Sequence, residues 1–184
     1  MLNNVVEIAR QYMSLTIKEG DTVLDATCGN GYDTLFLSQL VGSSGSVYAF
    51  DIQKEAIERT KRLLSENECD RNVSLILDSH ENIGRYVKSI QFAVFNLGYL
   101  PNSDKSIVTH AESTVNAVSA AIQLLNSAGL IVVCCYLGHT GGITEFESLL
   151  ESLNKYDCDC YNIVVLKHLI RHDDAPRMIL IEKK

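Results

Sequence analysis

Short runs rich in β-branched and aromatic residues alternate along this chain with longer stretches of helical period. Residues 22–27, 46–52, 73–79, 92–98 and 130–138 read as strands, and several are apolar on both faces, as a parallel strand covered on two sides must be. Between them, 33–41 and 54–68 read as helices. Residues 109–127 put Val115, Val118, Ile122 and Leu125 on one helical stripe, and 142–155 do the same with Ile143, Phe146, Leu149 and Leu153. Residues 1–20 suggest a helix packed on the sheet. Two further strands, near 160–167 and 177–182, follow without a clear helix between them and are most simply antiparallel. The pattern predicts one α/β domain over 1–184, a doubly wound and mostly parallel sheet with an antiparallel strand near the C-terminus. The longest irregular stretch, 98–108, follows a central strand, where long loops usually carry function.

Composition narrows the class. The 184 residues are 46% hydrophobic and 21% charged, which excludes global disorder. The longest apolar run, 130–137, is far short of the roughly 20 residues a membrane span needs. Residues 1–20 lack a basic start followed by an apolar stretch, so no secretory signal is expected. Six cysteines form no CxxC pair, which suits reduced, mostly buried thiols in a cytoplasmic protein. Cys158 and Cys160 have no second pair to complete a metal site, so no metal is expected. The net charge of −7 is uneven: residues 167–184 hold five Lys or Arg against three Asp or Glu, while the rest holds 11 against 20. An acidic body disfavours unspecific polyanion binding but leaves room for a local basic rim.

The first strand runs through Asp25 into Gly29-Asn30-Gly31 and then a helix. Glycines there let the backbone approach a ligand closely, and ligands of such sheets bind at the carboxyl ends of the strands. The dinucleotide pattern needs a third glycine where this chain has Thr34, which counts against a pyrophosphate. Asp25, just before the glycines, suits a cationic or hydroxyl-rich ligand. Asp51, at the end of the second strand, is placed to accept from both hydroxyls of a ribose. The third strand ends in Asp78-Ser79-His80. Each aspartate alone could be a turn or cap residue; three at one edge favour a nucleoside site. S-adenosylmethionine fits best, with an adenosine, a sulfonium cation and no phosphate.

These motifs resemble those of the small Rossmann-like class I methyltransferases once described as rRNA methylases, a bacterial family associated with tRNA wobble-uridine modification. The resemblance rests on 25–34 (D-A-T-C-G-N-G-Y-D-T), 50–53 (F-D-I-Q), 78–80 (D-S-H), 96–101 (N-L-G-Y-L-P), 104–107 (D-K-S-I), 138–142 (G-H-T-G-G) and 181–183 (I-E-K). It departs where the family carries Pro-Pro, here Ala175-Pro176, and where Asn-Gln is common, here Arg171-His172 nearby. The resemblance implies S-adenosylmethionine as cofactor and tRNA as substrate, with 5-aminomethyl-2-thiouridine converted to 5-methylaminomethyl-2-thiouridine. It implies that Asn30, Asp33, Asp51, Gln53, Ser79 and His80 line the cofactor. Asp51 and Gln53 would take the ribose, Asp78 or Ser79 with His80 the adenine edge, and Gly29 to Gly31 the close backbone approach. Asp33 either touches the methionine moiety or stabilises the helix dipole.

Methyl transfer to an amine needs a neutral nitrogen, so a hydrogen-bond acceptor aimed at it is wanted. Asn96 could supply one, or could simply shape the turn before Gly98. Tyr99 could stack on an extruded base or pack on its own loop. His139 could take a proton, bind phosphate or cap its loop. Lys105, Lys167, His168, Arg171 and Arg177 are the candidate RNA-backbone contacts. Three other readings stay open: a methyltransferase of a small amine or phenol, a nucleoside-binding module without catalysis, and, more distantly, a nicotinamide-linked oxidoreductase. A homodimer is also left open.

Overall fold

The computed structural model describes residues 4–98 and 109–184. Along the chain come α1 (Val5–Thr16), β1 (Thr22–Asp25), α2 (Tyr32–Val41), β2 (Ser46–Asp51) and α3 (Lys54–Glu66). They are followed by β3 (Val73–Leu77), a 3-10 helix (His80–Arg85), β4 (Ile90–Leu97), α4 (Ala111–Leu124) and β5 (Leu125–Cys135). Last come α5 (Gly142–Leu153), β6 (Tyr161–Leu166) and β7 (Arg177–Lys183). The described strands form one seven-stranded sheet in the order β3-β2-β1-β4-β5-β7-β6. β1 to β5 pair in parallel, whereas β7 runs antiparallel to both β5 and β6, the C-terminal arrangement expected from the sequence. The chain starts at β1, winds outward to β3, then returns to β4 on β1's other side. The crevice of such a sheet therefore opens at the carboxyl ends of β1 and β4.

Both faces of the sheet are covered. Leu24, Phe50, Phe95, Val133 and Ile181 pack with α4 and α5 on one side. Val23, Val47, Val94, Val132 and Leu180 pack with α1 and α2 on the other. Neighbours in one strand thus feed opposite cores, so the strands read as unbroken apolar runs. Cys28, Cys134 and Cys135 are buried among them, whereas Cys158 and Cys160 are exposed, and all are free thiols. Burial pushes the Cys135 thiol up to about 12, so it packs as an inert apolar group. Among the described residues no helix is long and apolar enough to cross a membrane.

Four details differ from the sequence pattern. β5 begins at Leu125, five residues before the apolar run, because Ile90 pairs with Leu125 and the register then shifts so that Phe92 meets Leu130. The irregular stretch holds Ala128 at φ +58°, and Gln91 donates to its carbonyl at 3.1 Å. The preceding helix correspondingly stops at Leu124 rather than 127. Ile143, expected on the buried stripe of α5, lies in that helix's first turn and is exposed. β3 ends at Leu77, and Ser79 caps the 3-10 helix by accepting from the Glu81 N–H at 3.3 Å.

Candidate functional site

The turn from β1 into α2 is built around glycine. Gly31 sits at φ +83°, and a Cβ there would lie 2.9 Å from both the backbone and side chain of Thr60 on α3. The same Thr60 hydroxyl donates to the Gly29 carbonyl at 3.2 Å. Asp51, the last residue of β2, accepts from the Gly29 N–H at 3.0 Å and the Gln53 N–H at 2.9 Å. Burial raises its carboxyl above the ordinary value, while those two N–H groups pull it back. Each oxygen of Asp51 keeps lone-pair capacity for a donor such as a ribose hydroxyl. Asn30 is held from α3, where Arg59 donates to its Oδ1 at 3.1 Å while also pairing with Glu55.

A cleft of about 770 Å³ opens beside this turn. Gly29, Asn30 and Asp33 line one wall, Asn96 and Gly98 the floor at the end of β4, and Tyr136 and His139 the far wall after β5. Arg10 of α1 and Asp174 and Pro176 of the β6–β7 loop close the rim. The volume is of the size that encloses a cofactor-sized molecule. Asp33 and Asn96 meet here: the Asn96 Nδ2 donates to Asp33 at 3.0 Å, and Arg10 Nε donates to the other carboxylate oxygen at 3.3 Å. His139 stands between the Thr140 carbonyl, 3.1 Å from Nδ1, and the buried Glu145 carboxylate, 3.9 Å from Nε2. Glu145 in turn accepts from the hydroxyls of Thr109 and Thr114.

The remaining expected residues are placed differently. Asp25 is fully buried and does not line the cleft. Its carboxylate accepts from the Thr34 hydroxyl at 2.6 Å and the Thr27 N–H at 3.2 Å, so it holds the turn from behind instead of facing a ligand. Burial, then the charges of Asp33 and Asp51, push it up to about 7 against those hydrogen bonds. His80 is turned inward, its ring 6.1 Å from that of Phe95, and burial lowers its pKa, which makes it a neutral core residue and not an adenine-edge group. Asp78 lies just before the cap of the 3-10 helix and accepts from the Ser79 N–H, Asn82 and the Tyr86 hydroxyl, which hold its carboxyl below the ordinary value. Arg177 is half-buried: it lies over the Phe146 ring of α5 at 4.9 Å and donates to the Asp173 carbonyl at 3.3 Å, which ties its guanidinium to the base of the β6–β7 hairpin. Lys167, His168 and Arg171 do lie in or beside that hairpin's exposed loop. Tyr99, Lys105 and the motif stretches 99–101 and 104–107 lie outside the described residues.

Sequence reasoning missed Arg10, Thr27 and Glu145. Thr27 stands inside the 25–34 motif, and Glu145 is an acidic residue beside the buried stripe of α5, six positions after His139; Arg10 left no trace.

A family model described as "Putative rRNA methylase" matches residues 47–182. The chain belongs to this family. A second model, for protein-L-isoaspartate O-methyltransferase, matches residues 3–86. An Arabidopsis thaliana protein named as a chloroplastic tRNA (mnm5s2U34)-methyltransferase is 43% identical over 155 residues, covering 77% of this chain and 56% of the plant protein. The chain thus spans little more than half the length of that relative. A Clostridium thermocellum structure described as a "putative rRNA-methylase" superposes with a TM-score of 0.97 at 39% identity, covering both chains fully. A Streptococcus mutans protein described as "a putative methyltransferase", solved in complex with SAH, superposes with a TM-score of 0.90 at 32% identity, again over both full chains. The fold is that of class I S-adenosylmethionine-dependent methyltransferases, and the protein is an enzyme of that class with S-adenosylmethionine as cofactor. The residues present fit that group: an acidic side chain ends β2 with free acceptor capacity, and the glycine turn leaves no room for a Cβ. Asp51 and Gln53 would hold the ribose, Gly29 and Asn30 the backbone side of the cofactor, and Ser79 would stand at the adenine end.

Proposed function

We propose that this chain methylates the aminomethyl nitrogen of 5-aminomethyl-2-thiouridine at the wobble position of tRNA, giving 5-methylaminomethyl-2-thiouridine. The observation that carries the reading is the 43% identity with the plant protein of that name, combined with an amide side chain, Asn96, at the floor of the cofactor cleft. S-adenosylmethionine supplies an electrophilic methyl on a sulfonium, and the protein supplies alignment. The substrate nitrogen must shed a proton before its lone pair can attack. Asn96 Oδ1 can accept an N–H of that amine and orient the lone pair toward the methyl carbon. The C–S bond breaks as the C–N bond forms, leaving S-adenosylhomocysteine and a proton.

Lys167 and Arg171 bring positive charge to the β6–β7 loop of an otherwise acidic body. Between them Leu169 and Ile170 are 87% and 96% exposed, which suits contact with unstacked bases of a loop. The test is nucleoside mass spectrometry of tRNA from cells lacking this protein. Accumulated 5-aminomethyl-2-thiouridine supports the reading. An unchanged nucleoside profile refutes it and favours a small-molecule acceptor.

A further inference from the structure

We propose that Asp33 and Thr27 are positioning residues that lock the Asn96 amide with its oxygen toward the cleft, so that the site admits a nucleophile presenting an N–H. The inference rests on the methyl-transfer reading above and names what makes that site choose an amine. Asn96 is the penultimate residue of β4 and is held at two points by the glycine turn, more than 60 residues away in sequence. Its backbone N–H donates to the Thr27 hydroxyl at 2.7 Å. Its side-chain Nδ2 donates to Asp33 Oδ2 at 3.0 Å.

The direction of the second bond follows from chemistry. A carboxylate offers only acceptors, so the amide beside it must turn its NH2 that way. Asp33 is itself fixed: Arg10 Nε donates to Oδ1 at 3.3 Å, and the Arg10 guanidinium also reaches the Tyr32 carbonyl and lies 5.5 Å over the Phe36 ring. With one Nδ2 hydrogen donated to Asp33, Oδ1 is the acceptor that Asn96 has left for a molecule in the cleft it lines, beside the second Nδ2 hydrogen. That atom attracts an amine N–H and repels the lone pairs of a phenolate. That acceptor therefore favours a nucleophile that brings a hydrogen, such as an amine, over an anionic oxygen, by an unfavourable contact as well as a favourable one. Thr27 acts in the same sense, because a glycine or alanine there would leave the Asn96 N–H without its hydroxyl partner.

The test uses the full-length protein, wild type, Asp33→Leu, Asn96→Asp and the exchange Asp33→Asn with Asn96→Asp. Three measurements are made: the Asn96 side-chain NH2 signals in a 15N–1H spectrum, SAH affinity by calorimetry, and kcat and KM on tRNA carrying 5-aminomethyl-2-thiouridine. Asp33→Leu is expected to shift the Asn96 amide signals and lower kcat roughly tenfold to a hundredfold, the usual cost of one oriented polar group at a reacting centre. SAH affinity and RNA KM stay within about threefold, because an orienting group acts on kcat. Asn96→Asp sets two carboxylates against each other and loses turnover, and adding Asp33→Asn restores the pair and recovers roughly tenfold. A parallel loss of SAH affinity in Asp33→Leu would make Asp33 a cofactor ligand and overturn the proposal. Unmoved amide signals would overturn it too. If the wild type transfers no methyl to that tRNA, the substrate reading fails, while the amide signals and calorimetry still decide the positioning.

Discussion

Replacing Asp25 by asparagine should flatten the pH dependence of stability. Asp25 is wholly buried at the end of β1, with one oxygen on the Thr34 hydroxyl and the other on the Thr27 N–H. Burial and the nearby charges of Asp33 and Asp51 carry its carboxyl from the ordinary 3.8 up to about 7 in the folded protein. Between those values the unfolded chain has released the proton and the folded chain has kept it, so unfolding gains as pH rises. Asp25 therefore favours folding fully below its unfolded value, and that contribution is lost as pH climbs through the folded one. At 1.36 kcal/mol per tenfold, the full span is about 4 kcal/mol, of which about 2–3 kcal/mol falls between about pH 5 and about pH 8. Asparagine keeps the shape, removes the ionisation and lets the Thr34 hydroxyl reverse its role. The chain has no tryptophan, so urea unfolding is followed by far-ultraviolet circular dichroism of the cofactor-free protein. The wild-type-minus-variant difference in unfolding free energy should fall by about 2–3 kcal/mol over that range. Since every other carboxylate is shared, parallel profiles would show that Asp25 titrates like an exposed acid and would refute the reasoning.

Two other outcomes test the cofactor side. Asp51→Ala should retain the fold but weaken SAH binding by roughly a hundredfold in calorimetry, since two charge-assisted hydrogen bonds of about 1.5–3 kcal/mol each are removed and water recovers part; unchanged affinity would remove Asp51 from the ribose. Gly31→Ala should lower unfolding free energy by about 2 kcal/mol or more, because a Cβ at φ +83° meets the Thr60 backbone at 2.9 Å; a variant as stable as wild type would show that the turn relaxes freely.

The sheet was legible because its strands are buried on both faces, and the seams between elements were legible to within a few residues wherever glycine or a polar pair marks them. Asp51 was legible too, since a carboxylate ending the second strand falls at the crevice whatever packs elsewhere. Asp25 and His80 look identical to Asp51 in the sequence, as polar residues at strand ends, yet both turn inward. The difference is decided by neighbours the pattern does not show: Thr34 offers Asp25 a buried hydroxyl, and the 3-10 helix rotates His80 onto Phe95. Arg177 reads as a surface cation, but its partner Phe146 lies on α5, 31 positions earlier. Arg10 left no signal at all, because an amphipathic period says that α1 docks and not where its polar face ends up.

The two halves of the cleft differ in how they are encoded, and this explains why the donor is easier to name than the acceptor. The wall nearest the glycine motif comes from the β1-to-α2 turn, backed by the β2-to-α3 turn through the Gly29–Asp51 hydrogen bond, and in these turns glycine, asparagine and aspartate sit within a few residues of each other. Contiguous chemistry of that kind survives as a motif. The opposing wall is assembled from α1, the end of β4, the segment after β5 and the β6–β7 loop, each contributing one or two side chains. No spacing rule connects Arg10, Asn96, His139 and Asp174. Their meeting is a property of the sheet order, which brings the β4 and β5 ends beside β1 while β7 folds back antiparallel and hangs its hairpin over the rim. Asp33 is the point where the halves join, since it belongs to the motif by sequence and to the acceptor wall by its bond to Asn96. A change there is felt on both sides, which is why separating cofactor affinity from turnover at that one residue distinguishes a ligand-binding aspartate from an orienting one.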